Sequence, residues 1–360
     1  MHTSGTNIYD SNNEQVIWNG IVTKTLLGYE MYASAGVLPE DLSTTDIDTI
    51  SSHGLNFVRL GIALCSAVYG QDYHNQTPTK LNYYPRFWNL LDSIVNEAQT
   101  HGMWVDITFM TTDFVWSGIG GYWGVGNGFP TWMYNGSWSY FNKIYTNDAA
   151  GRSDAIRDFW NINDGTAANV RTAYQTFWKD FAYHFRNTPN VVFSLYNEPQ
   201  NKYGGPELWD SLNGHPTQTQ GAQMYESFME NTIDIIRSQD NGKHVILIND
   251  AYFWSYSTNP QIQRPNIVVE CHSYSGVSTS FFNLGWRYNQ PFYVGEFGGI
   301  EQGLQSESAT ISVMQTCNSY NVSWCYLRYN NPATGGSATP SVQTWTDLRN
   351  NLNPDLTYCS

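Results

Sequence analysis

The sequence predicts an α/β chain folded as a (β/α)8 barrel, and three observations predict it. Eight short runs rich in aliphatic, β-branched and aromatic residues recur along the 360 residues. Several are nearly continuous apolar stretches, as expected of parallel strands buried on both faces. Long stretches of helical periodicity separate them, giving the strand–helix alternation from which a parallel barrel is built.

The expected strands, in order, are 26–31 (LLGYEM), 55–62 (LNFVRLGI), 103–110 (MWVDITFM), 190–197 (NVVFSLYN), 244–249 (HVILIN), 266–272 (NIVVECH), 291–296 (PFYVGE) and 322–327 (VSWCYL). Helical patterns cover 86–100, 169–186, 222–238 and 342–351. Helices are expected to stop at His53–Gly54, His101–Gly102 and Asn241–Gly242, where a residue able to take a left-handed conformation ends the hydrogen-bond ladder. The spacing breaks once. Residues 111–165, between the third and fourth strands, are rich in Gly, Asn and aromatic side chains. A loop of that length in a compact domain is usually functional, and after a barrel strand it lies on the C-terminal face. With neither linker nor repeat in evidence, residues 1–360 read as a single domain.

Composition narrows the partners. The formal net charge is −14. Nucleic acid and anionic membrane surfaces both require basic patches, so neither is expected as a partner. Charged residues are only 13% of the chain while aromatics reach 16%, with 14 Trp and 25 Tyr. Such rings pack cores and also line grooves that stack on neutral sugars. Cys65, Cys271, Cys317, Cys325 and Cys359 lack metal-binding spacing, and no phosphate-binding glycine motif opens a helix, so no metal and no cofactor is expected. One or two disulfides, or none, are compatible with five cysteines. No run reaches the roughly 18 apolar residues of a membrane helix. The first twenty residues carry no signal stretch. An extracellular, monomeric protein that reaches this form without its leader is the expectation.

In a barrel, functional side chains belong at the C-terminal ends of the strands. Arg59, Asn197–Glu198, His272, Tyr274 and Glu296 fall there. Glu198 and Glu296 come from strands far apart in sequence that converge on one cavity. Two carboxyl groups in one cavity are the pattern of glycoside hydrolysis, in which one carboxyl donates a proton and the other attacks or stabilises an oxocarbenium-like carbon. Glu198 is expected as acid/base and Glu296 as nucleophile. Arg59 and Tyr274 are expected to hold Glu296 ionised and oriented, and Asn197 to bond the sugar 2-hydroxyl. Asp106 and Asp113 receive no role. His53, His101 and His184 are read as structural residues at helix ends.

"NEP" after the fourth strand, "GEFG" about a hundred residues later, "FVRL" on the second and "HSY" on the sixth together resemble glycoside hydrolase family 5. The resemblance runs from the first strand to the eighth. It implies a retaining enzyme with Glu198 as acid/base, Glu296 as nucleophile, and Arg59, Asn197, His272 and Tyr274 around them. Two departures accompany it. The family commonly carries a His at the end of strand three, where this chain has Thr108 and its neighbours. The family also carries a Trp sugar platform at the end of strand eight. Trp324 is the ring this sequence offers there, although it lies early in the strand and Arg328 is nearer the family's position. Trp123 and Trp132 are the sugar platforms expected from the long loop. The implied substrate is a cellulose-type β-1,4-glucan cleaved internally, with β-mannan second and a glycolipid or an exo-acting reaction third. A barrel that binds sugar without cleaving it is the alternative of a different class.

Overall fold

A computed structural model of the chain describes residues 1–23, 42–62, 67–68, 77–83, 85–109, 162–163, 165, 168–197, 218–249, 262, 264–274, 289–329 and 339–359. Three short strands, β1 (His2–Ser4), β2 (Asn7–Tyr9) and β3 (Gln15–Val16), form an antiparallel sheet. Eight parallel strands then close a barrel: β4 (Asn19–Thr23), β5 (Phe57–Ile62), β6 (Trp104–Phe109), β7 (Val191–Ser194), β8 (Ile246–Asn249), β9 (Ile267–His272), β10 (Phe292–Gly298) and β11 (Ser323–Tyr329). Neighbours in sequence are neighbours in the barrel, and β11 closes it against β4. The described helices are α1 (Thr44–Ser52), α2 (Pro85–Thr100), α3 (Ala168–Phe185), α4 (Gln218–Asp240), α5 (Glu307–Ser319) and α6 (Val342–Asn350). The architecture is the expected (β/α)8 barrel, and among the described residues no helix is long and apolar enough to cross a membrane.

One strand differs from expectation. The barrel's first strand is Asn19–Thr23, not residues 26–31, which lie outside the described residues. Its sequence, NGIVT, is short and begins with an amide and a glycine. The glycine has a packing cause: a Cβ at Gly20 would come within 2.6 Å of the Phe57 carbonyl oxygen on the next strand. Close approach of β4 to β5 thus removes the side chain that would have marked the strand.

The helix stops are as expected. Gly54 and Gly102 follow α1 and α2 with φ of 82° and 66°. α1 begins on a capping box in which Ser43 and Asp46 satisfy each other's exposed backbone donors. His101 and His184 tie adjacent helices: His101 Nε2 lies 2.8 Å from Asp48 of α1, and His184 Nε2 lies 2.6 Å from Asp92 of α2. Among the described residues Cys317, Cys325 and Cys359 are free thiols.

Alternation along the strands divides the core in two. Val58, Leu60, Val105 and Ile107 face outward and pack under the helices. Trp18, Phe57, Trp104, Val192, Val268 and Tyr293 fill the lower barrel interior. The N-terminal sheet and the C-terminal tail close that lower end. Asn353 N donates to Asn19 Oδ1 at 2.6 Å, Asn56 Nδ2 donates to Ile17 O at 2.8 Å, and Cys359 N donates to Gly102 O at 2.6 Å. Among the described residues the lower end of the barrel is thus filled and sealed, and the polar side chains gather at the other end, the mouth.

Candidate active site

Two residues above the apolar floor, the barrel interior turns polar. Side chains at i and i+2 of a strand share a face. Phe57 is therefore followed inward by Arg59, Trp104 by Asp106, Val192 by Ser194 and Val268 by Glu270. Above this layer, at the mouth, come Asn197 just past β7, His272 at the end of β9, Tyr274 just beyond it and Glu296 within β10. Backbone hydrogen bonding carries on past the ends of β7 and β9 and holds these groups in place. Asn197 N donates to Phe109 O at 2.9 Å, and Ser273 N donates to Glu296 O at 2.8 Å.

Arg59 is fully buried and organises the site. Its Nη1 donates to Glu296 Oε1 at 2.5 Å. Its Nη2 donates to Asn197 Oδ1 at 2.9 Å and lies 2.8 Å from Glu270 Oε1. Its Nε lies 3.2 Å from Asp106 Oδ2, an ionic contact that is off-axis for a hydrogen bond. Glu296, 5% exposed, takes a second hydrogen bond on its other oxygen: Tyr274 Oη donates to Oε2 at 2.7 Å. His272 stands beside it, Nδ1 3.4 Å from Oε2, with Nε2 facing Asn249 Nδ2 at 3.0 Å and Glu270 Oε1 at 3.2 Å. Arg59, Asn197, His272, Tyr274 and Glu296 are thus brought together.

Glu198, Trp123 and Trp132 lie outside the described residues. Trp324 is a correction. Its ring is fully buried, meets Phe297 edge-on at 5.8 Å and donates from Nε1 to Asn318 Oδ1 of α5 at 3.0 Å. Trp324 and Tyr326 face the helices while Cys325 between them faces inward, so the indole is on the wrong side of β11 to stack on a sugar. Thr108 is buried near the end of β6, where the family pattern has a His. Arg328 is half-buried at the end of β11, its Nε without a hydrogen-bond partner among the described residues.

Asp106, Ser194, Glu270, Gly295 and Gln305 are supporting residues that reading the sequence did not assign. Glu270 Oε2 accepts from Ser194 Oγ at 2.7 Å. A Cβ on Gly295 would sit 2.0 Å from Glu270 Oε1, so the glycine before Glu296 is where the Glu270 carboxylate passes. Gln305 binds the two strand ends together: its Oε1 accepts from Gly298 N at 2.8 Å and its Nε2 donates to Tyr274 O at 3.2 Å. The signal for Asp106 and Glu270 was period-two spacing from Trp104 and His272.

Three carboxylates surround one guanidinium, and their environments divide the charge. Burial alone would lower the Arg59 pKa, but Glu270, Glu296 and Asp106 raise it well above its ordinary value. Burial pushes Asp106 up to about 8; Arg59 pulls the other way and Glu270 adds to the rise. Neither Asp106 oxygen is reached by a well-aligned hydrogen bond among the described residues. Burial would also raise Glu270, yet Arg59, His272 and Ser194 hold it below the ordinary carboxylate range. At neutral pH Glu270 is therefore the ionised member of the buried pair and Asp106 the protonated one. What results is an oriented carboxylate, Glu296, at the C-terminal end of the barrel, held by a cation and a phenol.

The family model "Cellulase (glycosyl hydrolase family 5)" matches residues 9–333. Endoglucanase N of Pectobacterium atrosepticum is 26% identical over 242 residues, covering 64% of this chain and 45% of that protein. The chain spans less than half the length of the curated relatives it matches. Among solved structures, an endogalactoceramidase superposes with a TM-score of 0.68 at 19% identity, covering 97% of this chain and 83% of that one. Endoglucanase Cel5A from the hyperthermophilic Thermotoga maritima superposes with a TM-score of 0.57 at 16% identity, covering 93% and 96%. With the family model matched from the N-terminal sheet to beyond the last barrel strand, the chain belongs to glycoside hydrolase family 5.

Proposed function

We propose that the protein is a retaining endo-β-1,4-glucanase that cleaves a cellulose-type chain by double displacement. The observation that carries this reading is how Glu296 is held. Each of its oxygens is held by one donor, Arg59 on one side and Tyr274 on the other. The two bonds fix the direction of the carboxyl group, as a nucleophile requires. Glu198 follows directly on Asn197, whose side chain shares Arg59 with Glu296. That adjacency supports Glu198 as the acid/base partner.

The reaction then runs in two steps. Glu198, protonated, gives its proton to the glycosidic oxygen as the bond from that oxygen to C1 breaks. A Glu296 oxygen bonds to C1, and the leaving chain departs as an alcohol. In the second step Glu198, now a carboxylate, takes a proton from water while the water oxygen bonds to C1. The ester to Glu296 breaks and the carboxylate returns. In this reading Arg59 and Tyr274 stabilise Glu296 whenever it carries charge, and Asn197 bonds the sugar 2-hydroxyl. A charge-poor, aromatic-rich, acidic chain suits a neutral extracellular polysaccharide.

β-Mannan is the second reading, favoured by Thr108 standing where the family pattern has a His. Initial rates on carboxymethylcellulose, glucomannan and xylan test the substrate: the glucan should be fastest, and a faster mannan would replace it. Glu296→Ala tests the chemistry. It should abolish hydrolysis, and azide should restore turnover of an activated aryl glycoside by taking the vacated place. Hydrolysis by the unrescued variant would remove the nucleophile assignment.

A further inference from the structure

The reaction proposed above consumes a charge. When Glu296 becomes an ester, Arg59 loses one of its anionic partners while remaining fully buried. A buried cation left without a counter-ion is strongly unfavourable. The interior layer beneath the mouth contains two more carboxylates, and they are not equivalent. Asp106 meets Arg59 off-axis and has no well-aligned hydrogen bond among the described residues. Glu270 is placed between four strands. It lies 2.8 Å from Arg59 of β5, accepts from Ser194 of β7 at 2.7 Å, meets His272 of β9 at 3.2 Å, and passes through the space left by Gly295 of β10. It is fully buried, so solvent does not reach it.

We propose that Glu270 is a positioning residue of the reaction: the standing counter-ion of Arg59, which holds the guanidinium in place while Glu296 is esterified and shares its charge while Glu296 is free. This rests on Glu296 being the nucleophile. The consequence is directional. With Glu270 ionised, Arg59 is divided between two carboxylates, and Glu296 keeps electron density for attack. With Glu270 neutralised, the guanidinium charge falls mainly on Glu296, since Asp106 meets Arg59 only off-axis. Its carboxylate becomes a weaker nucleophile and a better leaving group. Loss of the Glu270 charge therefore slows formation of the glycosyl–enzyme and does not slow its hydrolysis. A residue that served only to pack the barrel would impair both steps together.

The test uses the full chain and a 2,4-dinitrophenyl β-glycoside, taking whichever of the cellobioside and mannobioside the wild type turns over. In the first step the Glu296 oxygen bonds to C1 and dinitrophenolate leaves as an anion, so no proton is needed from Glu198. The burst of dinitrophenolate reports this step, and the steady-state rate reports the second where that is slower. In Glu270→Gln the burst rate constant should fall about tenfold or more, while the rate constant for hydrolysis of the intermediate stays at or above the wild-type value. Ser194→Ala, which removes one hydrogen bond to Glu270 and keeps its charge, should shift the burst rate the same way by about twofold to fivefold, and it carries the test if Glu270→Gln does not fold. An unchanged burst, or equal losses in both steps, would overturn the proposal. Azide rescue of Glu296→Ala, run alongside, reports on the underlying reading separately. Failure of rescue removes the nucleophile, whereas successful rescue with an unchanged Glu270→Gln burst removes only the role of Glu270.

Discussion

At the residue scale the site is organised by one guanidinium, and its shape matters as much as its charge. Arg59 spends Nη1 on Glu296, Nη2 on Asn197 and Glu270, and Nε on Asp106. A lysine delivers a single point charge and lacks the planar fork that reaches these groups at once. Arg59→Lys should therefore lower kcat/KM by about 100-fold or more, since both the orientation and the charge stabilisation of Glu296 depend on it. Steady-state kinetics on a soluble β-glucan checks this, and a variant with more than half the wild-type activity would show the fork to be dispensable. The contrast between residues that reading the sequence did and did not identify is physical. Asn197, His272 and Tyr274 stand at or just beyond strand ends and Glu296 near one, where polar groups interrupt apolar runs and are conspicuous; Arg59, third in β5, is conspicuous as the one cation in an apolar run. Asp106 and Glu270 are embedded in those runs, between Val105 and Ile107 and between Val269 and Cys271. Nothing local distinguishes a carboxylate that supports an arginine from one that is simply solvated. Only closure of the barrel, which sets Arg59 opposite Asp106 in register and brings Glu270 alongside, gives them partners.

At the scale of elements, the pairing of β9 with β10 sets the geometry of the nucleophile. The ladder runs Tyr293 to Glu270 and Val294 to Cys271, then slips so that Glu296 pairs with His272. The slip passes over Gly295, whose missing side chain admits the Glu270 carboxylate. Gly295→Ala should therefore force either the strand or Glu270 to move, destabilising the fold by about 1–3 kcal/mol and lowering activity with it. If the clash with Glu270 is the cause, Glu270→Ala in the same chain should relieve part of the cost, and the two changes should be non-additive by about 0.5–3 kcal/mol. Denaturant titration of both single variants and the double variant measures this, and simple additivity would locate the strain elsewhere. Elements were legible from the sequence to the degree that they were long. α2 and α3 fall within a residue of their expected ends because amphipathic periodicity over four turns leaves little freedom. β4 was displaced from its expected place because five residues opening on Asn19 and Gly20 display no alternation. Trp324 illustrates the complementary limit: a ring in a barrel strand is on the sugar side or the helix side according to a one-residue phase, and composition does not carry that phase.

At the scale of the whole molecule, the barrel was legible and its floor was not. Eight apolar runs separated by helices admit few other arrangements, whereas strands of two or three residues such as β1 to β3 leave no periodic trace. The closed floor matters energetically because it removes the lower interior from water, and that burial determines how stability responds to pH. Asp106 ordinarily titrates near 3.8 and is pushed up to about 8 in the folded chain. Between those values the folded protein keeps a proton that the unfolded chain has released. Proton uptake on folding makes stability fall as pH rises, so the contribution of Asp106 is fully present below about pH 4 and lost by about pH 8. Glu270 runs the opposite way: its pKa is depressed, so its contribution is present above its ordinary pKa of 4.5 and is lost as pH falls through the lower folded value. The two can be separated by Asp106→Asn, which cannot titrate. Relative to wild type, its stability should rise progressively from about pH 4 to about pH 8, at up to about 1.4 kcal/mol for each pH unit, and level off above that. Unfolding midpoints measured at fixed ionic strength across this range provide the comparison. A constant offset between the two proteins from pH 4 to pH 9 would mean that Asp106 does not hold its proton in the folded barrel, and that Arg59 is balanced by three ionised carboxylates rather than two.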